Sequence, residues 1–276
     1  MVDPGLGDHR PFAKAALGVL AGPLKSWDRR AALGADRYLV VSNAVRRHVQ
    51  DAYGIDAEVL PPPVAFDVTG EIRTVPGVER GFFLLVSRLL PYKNVNIALE
   101  AFRKLPKQRL VVVGTGPEQE SLSREAPPNV LFLGTVTDDQ LRWLYQEATA
   151  IVAPSFEDFG LTPVEGALAG KPTIALRAGG YLDTVEEGTT GVFFDVATPE
   201  ALLNAVVETL SCQWDEDRIR DHAHLFSEEC FAKRLHEVVS EELAAAPFIA
   251  KPEVVEPPLV LLVPPSGTFA SSRSSP

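Results

Sequence analysis

The stretch Gly81-Phe82-Phe83-Leu84-Leu85-Val86-Ser87-Arg88-Leu89-Leu90-Pro91-Tyr92-Lys93-Asn94, running into Val95–Leu105, decides the architecture. Phe82–Val86 is apolar without interruption, so it reads as a strand covered on both faces; a strand with one wet face would alternate. The segment that follows spaces its apolar residues as a helix does. The unit then repeats. Apolar runs at Leu110–Val113, Val130–Leu133, Ala150–Ala153, Thr173–Leu176 and Val192–Phe194 alternate with helical segments at Glu118–Arg124, Asp138–Ala148, Pro163–Ala169, Tyr181–Glu187 and Pro199–Leu210. This alternation predicts an α/β fold: a doubly wound, Rossmann-like sheet of six parallel strands with helices on both faces.

Local signals mark the helix ends. Thr137 with Gln140, and Thr162 with Pro163 and Glu165, predict capping boxes, and Thr198-Pro199 repeats the theme. Gly170 followed by Pro172 predicts a helix stop. Farther on, Asp217–Leu243 reads as one amphipathic helix.

Ahead of Gly81 the grammar is the same but shorter: a helix around Trp27–Leu33, a strand Tyr38–Val41, a helix Ser42–Tyr53 and a strand Glu58–Leu60, closed by Pro61-Pro62-Pro63. Two such units cannot close a sheet. Residues 1–64 therefore read as the end of a second Rossmann-like domain, 65–80 as a linker, 81–243 as the principal domain with its terminal helices, and 244–276 as a flexible Pro- and Ser-rich tail. Exposed apolar surface around Leu33 and Tyr38–Val41 is expected to invite self-association.

Composition removes several classes. A chain of 276 residues that is 46% hydrophobic is globular, and a net charge of −11 argues against wrapping nucleic acid. Cys212 and Cys230 are too few for a disulfide framework or a metal knuckle, which fits a cytoplasmic location. Phe12–Leu24 is too short and broken by Lys14, Gly18, Gly22 and Pro23 to span a bilayer; with Asp3 and Asp8 ahead of it, it reads as a helix fragment rather than a leader.

In a doubly wound sheet, ligands sit at the carboxyl ends of the strands, so the strand-end loops carry the functional signal. After the first strand, Arg88 and Lys93 lie beside a helix start, a pairing that suits a diphosphate, although solvated surface cations would look the same. Gly114-Thr115-Gly116-Pro117-Glu118 lets the backbone approach a ligand, yet it lacks the third glycine of a dinucleotide fingerprint. The loop Pro154-Ser155-Phe156-Glu157-Asp158-Phe159-Gly160-Leu161-Thr162-Pro163-Val164-Glu165 separates two acids by seven residues, so that both can face one cleft and grip hydroxyls and phosphate. Each acid alone has a plain reading, as a loop carboxylate or a cap. Ala178-Gly179-Gly180, with Asp183 nearby, opens another helix.

Taken together, Val86-Ser87-Arg88 with Lys93, Val113–Glu118, Phe132-Leu133-Gly134, Pro154-Ser155 leading to Glu157 and Glu165, Gly179-Gly180 and Thr190-Gly191 make the chain from about Trp27 to Leu243 resemble family 4 glycosyltransferases of the two-domain GT-B architecture. Ser87–Lys93 and Glu157–Gly160 are most similar to bacterial mannosyltransferases that build surface polysaccharides from GDP-mannose. The resemblance implies a retaining, metal-independent transfer of a hexosyl group, mannosyl on the finer match, from a nucleotide sugar to a glycan- or lipid-linked acceptor. No cofactor is implied. Arg88 and Lys93 would neutralise the donor diphosphate. Glu157 would position hydroxyls of the transferred sugar, beside the amides of Phe159, Gly160 and Leu161. Glu165 would hold the ribose, and Gly116 and backbone around Gly134–Val136 would meet the rest of the nucleotide.

A cytoplasmic enzyme in peripheral contact with the inner face of the membrane is the implied setting. Family members begin with a whole acceptor domain carrying a glycine-rich loop and a histidine facing the donor sugar. None of His9, His48, His222, His224 and His236 lies in that context, and Asp183 stands where the family usually has glutamate. The competing reading is a nucleotide-sugar-binding subunit, without activity of its own, that needs a partner acceptor domain. A nucleotide-sugar epimerase of similar architecture fits the Glu157–Glu165 segment less well.

Overall fold

The computed structural model describes residues 10–245, with side chains from residue 21 onward. The principal domain is a six-stranded parallel sheet built from β3 (Phe82–Val86), β4 (Leu110–Val113), β5 (Val130–Gly134), β6 (Ala148–Ala153), β7 (Thr173–Leu176) and β8 (Gly191–Phe194). Strand order is β5-β4-β3-β6-β7-β8. The chain steps outward from β3 to β5, returns to pair β6 against β3, and then steps outward the other way. This reversal opens a crevice beyond the carboxyl ends of β3 and β6.

Uninterrupted apolarity in β3 is explained by its two covered faces. Phe83 and Leu85 pack with Val95, Leu99 and Phe102 of α3 (Val95–Arg103) and with Leu202 and Val206 of α8 (Pro199–Ser211). Phe82 and Leu84 point the opposite way, onto Trp143, Leu144 and Tyr145 of α5 (Asp138–Glu147). That division follows from the two-residue period of a strand. Full burial of each such side chain contributes about 1.5–3 kcal/mol. The remaining helices are α4 (Gln119–Glu125), α6 (Leu161–Leu168), α7 (Tyr181–Thr184), α9 (Glu216–Ala223) and α10 (Glu228–Ala245).

Several local signals act as expected. The Thr137 amide donates to the Gln140 side chain at 3.1 Å, Thr198 accepts from the Ala201 amide at 3.3 Å, and Gly170 takes a left-handed φ of 74° after α6. Two differ. Helix α6 begins at Leu161, capped by Gly160 in a left-handed conformation with no side-chain cap, so Thr162 lies inside the helix and makes no capping box with Glu165. The expected helix Asp217–Leu243 is broken into α9 and α10 by a 3-10 turn at His224–Phe226, where Phe226 turns inward against Phe159, with ring centroids 5.7 Å apart.

The leading piece comprises α1 (Arg10–Ala32), β1 (Leu39–Val40), α2 (Asn43–Tyr53) and β2 (Glu58–Val59). Strands β1 and β2 pair in parallel. Leu33 is exposed as expected, but Val40 is buried, so the anticipated apolar surface does not extend through Tyr38–Val41. Residues 65–80 are docked rather than loose: Phe66 stacks on Tyr145 at 5.2 Å, Val75 is buried, and the Arg142 side chain donates to the Asp67 and Glu71 carbonyls. Of the expected tail 244–276, all but the first two residues lie outside the described residues. Among the described residues, no helix is long and apolar enough to cross a membrane.

Candidate functional site

The loop leaving β3 is drawn across the crevice by Asn94. This residue adopts φ 55°, a left-handed conformation that asparagine tolerates better than most, and its side-chain amide donates to the Pro154 carbonyl at 2.9 Å. The end of β3 is thereby tied to the end of β6. Lys93, at the close of a 3-10 turn (Pro91–Lys93), is carried over the Tyr92 ring and forms an ion pair with Glu157. Both side chains are largely shielded, 14% and 22% exposed, so this pair is screened less than a surface bridge.

Glu157 also accepts from the Ser155 hydroxyl at 2.6 Å, and Ser155 in turn lies 3.0 Å from the Tyr181 hydroxyl. Burial pushes the Tyr181 phenol well up from its ordinary range. These residues bound a cavity of about 400 Å³ whose wall also includes exposed Arg88, Phe159, Gly160, Leu161 and, from the leading piece, Pro62. Gly160, Leu161 and Thr162, at the start of α6, line this space, and the first amides of a helix lack intrahelical partners, which favours anionic or hydroxyl-bearing ligands. A second cavity of about 480 Å³ shares Val86, Ser87 and Arg88 with the first and is lined by Gly114, Gly116, Gly134 and Val136.

Of the sequence-expected residues, the structure thus brings Arg88, Lys93, Glu157, Phe159, Gly160 and Leu161 together and places Gly116 and Val136 on the far side of Arg88. Glu165 is not on either wall. It accepts from the fully buried Tyr145 hydroxyl at 2.5 Å, and burial raises its pKa despite that bond. The glycines act differently from expectation. A Cβ on Gly116 would lie 2.3 Å from the Leu89 carbonyl oxygen and one on Gly179 2.2 Å from the Glu157 carbonyl oxygen. They let strand-end loops pack on each other, and only indirectly shape the ligand space.

Asp183 is occupied across the molecule, accepting from the Asn43 amide at 2.8 Å and the Asn43 side chain at 2.6 Å. Beside it, the Ser42 hydroxyl donates to the Asp158 carbonyl. Sequence reasoning passed over Asn94, Ser155 and Tyr181. The only available signals were an asparagine beside a helix start and a serine two residues from an expected site acid. Among the described residues, no group of three or more His, Cys, Asp or Glu side chains is placed to hold a metal ion.

A doubly wound parallel sheet of six strands is the fold of a Rossmann-like GT-B domain, here with two cations, a carboxylate and a helix start gathered at the switch-point crevice. The chain belongs to the glycosyl transferases group 1, whose model matches residues 71–225, more than half its length. It is 32% identical over 230 residues to a glycogen synthase of Thermus thermophilus, covering 74% of this chain and 53% of that protein. It is 29% identical over 210 residues to a GDP-mannose-dependent alpha-(1-6)-phosphatidylinositol monomannoside mannosyltransferase of Mycolicibacterium smegmatis, covering 66% and 55%. A crystal structure of a glycosyltransferase from Rickettsia africae superposes with a TM-score of 0.68 at 21% identity, over 81% of this chain and 68% of the other. The chain spans about half the length of the curated relatives it matches.

Proposed function

We propose that this chain carries the donor half of a retaining, metal-independent glycosyltransferase. It moves a hexosyl group, mannosyl in our reading, from a nucleoside-diphosphate sugar to a lipid- or glycan-linked acceptor at the cytoplasmic face of a membrane. The observation that carries the reading is the convergence of Lys93, Arg88, Glu157 and the α6 start in one cavity at the switch point. As the bond from sugar to phosphate breaks, negative charge grows on the departing diphosphate, and fixed cations stabilise it most at that moment. Lys93 is paired with Glu157, so a diphosphate draws the ammonium away from that carboxylate and leaves Glu157 to accept sugar hydroxyls. The nucleoside would lie beyond Arg88, along Gly116 and Val136; Glu165, which the family resemblance pairs with the ribose, would have to turn from Tyr145 to reach it. Mannose is supported by the wording of the Ser87–Lys93 and Glu157–Gly160 loops and by the mannosyltransferase among the relatives.

Calorimetry tests the site. Lys93→Ala is expected to weaken binding of GDP by about 1.5–3 kcal/mol, the worth of a charge-assisted contact, with guanosine binding little changed. Equal losses for both ligands would remove Lys93 from the diphosphate site. Hydrolysis or transfer of GDP-mannose is expected to persist in excess chelator, and an absolute need for a divalent ion would overturn the metal-independent reading.

A further inference from the structure

The geometry points to Tyr181 as a positioning residue that acts through Ser155 to hold the Glu157 carboxylate in place. This deepens the donor-site reading above and rests on it for the sugar-binding arm of the test.

Hydrogen-bond stoichiometry gives the direction of the chain. A serine hydroxyl has one proton, and that of Ser155 is directed to Glu157 Oε1 at 2.6 Å, so at the 3.0 Å contact the Tyr181 hydroxyl is the donor and Ser155 Oγ the acceptor. Lys93 reaches the same oxygen, Oε1. Oε2 is therefore the oxygen left to accept from sugar hydroxyls. When a diphosphate draws Lys93 away, the Ser155 bond is the side-chain contact that still holds Oε1, and Tyr181 is what aligns Ser155.

The tyrosine is itself held firmly. Its side chain packs with Ala153, Ala175 and Val185, and Tyr181 and Ser155 are 3% and 4% exposed. Its ring lies against the loop that bears the site: a Cβ on Gly160 would come within 2.5 Å of Tyr181 ring carbons, and Gly160 has a φ of 93° that side-chain-bearing residues rarely adopt. Glycine at 160 thus both opens α6 toward the cavity and admits the ring beneath it. The helix that presents Tyr181, α7, is anchored at its other side by the Asp183 contacts to Asn43. On the other side of the relay, the Glu157 carbonyl accepts from the Gly180 amide at 2.8 Å, so backbone and carboxylate of Glu157 are both referred to the start of α7.

The test compares Tyr181→Phe, Ser155→Ala, the double variant and Glu157→Ala in the full chain. Two readouts are taken. The first needs no ligand: the rate at which an amine-acylating reagent modifies Lys93, followed by peptide mass spectrometry. A loosened Glu157 leaves the ammonium less engaged, and Tyr181→Phe is expected to speed Lys93 modification about twofold to tenfold, the worth of one hydrogen bond. The double variant should match Ser155→Ala alone, since both changes cut one chain. The second readout is the ratio of GDP-mannose to GDP affinity, which cancels any change in Lys93's engagement with the diphosphate, isolates the sugar contact and is expected to fall by a similar factor.

Unchanged Lys93 reactivity in Tyr181→Phe, or additive effects in the double variant, overturns the proposal. Faster modification with an unchanged affinity ratio in Tyr181→Phe, where Glu157→Ala does lower the ratio, overturns the part of it that concerns sugar binding. Faster modification with no change of ratio even in Glu157→Ala leaves the positioning role standing and sinks the donor reading instead. Thermal midpoints accompany each variant. Should Tyr181→Phe fail to fold, Ser155→Ala carries both readouts.

Discussion

The six-stranded domain and the leading piece are written in the same βαβ grammar but held in place by different forces. In the former, β3 buries Phe82, Phe83, Leu84 and Leu85 between two helix layers. The latter pairs two short strands and reaches the rest of the molecule through a small apolar contact, Val41 and Val64 on the cluster of Phe159, Val164 and Phe226, together with a set of polar ones. Glu58 on β2 binds both Arg37 and Arg234 of α10, Arg37 also meets Glu241 and Glu242, and Asn43 and Ser42 meet Asp183 and Asp158. Charge is thus kept out of the core of the sheet, while ion pairs and hydrogen bonds join the two regions alongside that apolar contact. A shared rhythm of strands and helices says nothing by itself about which of these forces dominates.

The largest expected effect lies in the sheet. Phe83→Ala should lower unfolding free energy by about 3–5 kcal/mol, as large-to-small changes in a closed core do. Chemical denaturation measures it, and a loss below 1 kcal/mol, roughly the ceiling for a surface ion pair, would erase the contrast.

A smaller effect, opposite in sign, is expected at Glu165. Burial raises its pKa above the unfolded value, so the folded chain binds the proton more tightly. The cost of the charge is absent below the unfolded carboxylate range and grows as pH rises through the raised value. Glu165→Gln keeps an acceptor for Tyr145 and carries no charge. It should raise the unfolding midpoint at neutral pH and leave it unchanged in acid; a gain of equal size at both would assign the effect to packing.

The smallest effect belongs to the contact between the two regions. The guanidinium of Arg37 first, and that of Arg234 after it, hold Glu58 below its ordinary carboxylate range. Its contribution is therefore present above the unfolded carboxylate pKa and lost as pH falls through the depressed value. Amide hydrogen exchange should quicken in α2 and β2 as pH falls through that range or as salt is raised, after correction for intrinsic rates, while β3 and β4 stay protected. Uniform loss of protection would show that one force holds both regions.

How much of this was legible in the sequence follows the same division. The runs Phe82–Val86, Leu110–Val113 and Thr173–Leu176 fall on β3, β4 and β7 with identical bounds, because continuous apolarity is a local signature of a twice-covered strand. Arg88, Lys93 and Glu157 could be singled out because each follows a strand end. The bonds between them could not be read, since they depend on β6 pairing with β3 and on Asn94 spanning the crevice. Thr162 misled because threonine before proline and an acid has the pattern of a cap; glycine at 160 takes the cap position two residues earlier. The break at His224–Phe226 was hidden for a similar reason, because helical spacing continues on both sides of a turn that tertiary packing of Phe226 selects.

The junction at Ser42 and Asn43 has a mechanical consequence. The hydrogen bonds from α2 to the loops of the cavity come from its first turn, Ser42 to Asp158 and Asn43 to Asp183, with His48 beside Phe156 a turn further on, so the contact works as a pivot at that end. Eleven residues of helix make a lever of about 16 Å. A tilt of about 10° around the pivot would sweep the far end of that lever by roughly 3 Å while hardly moving the fulcrum. Such a tilt also requires the Glu58–Arg234 pair to part, so screening of that pair would free the lever while the hydrogen bond at Asp158, next to Glu157, stays at the fulcrum.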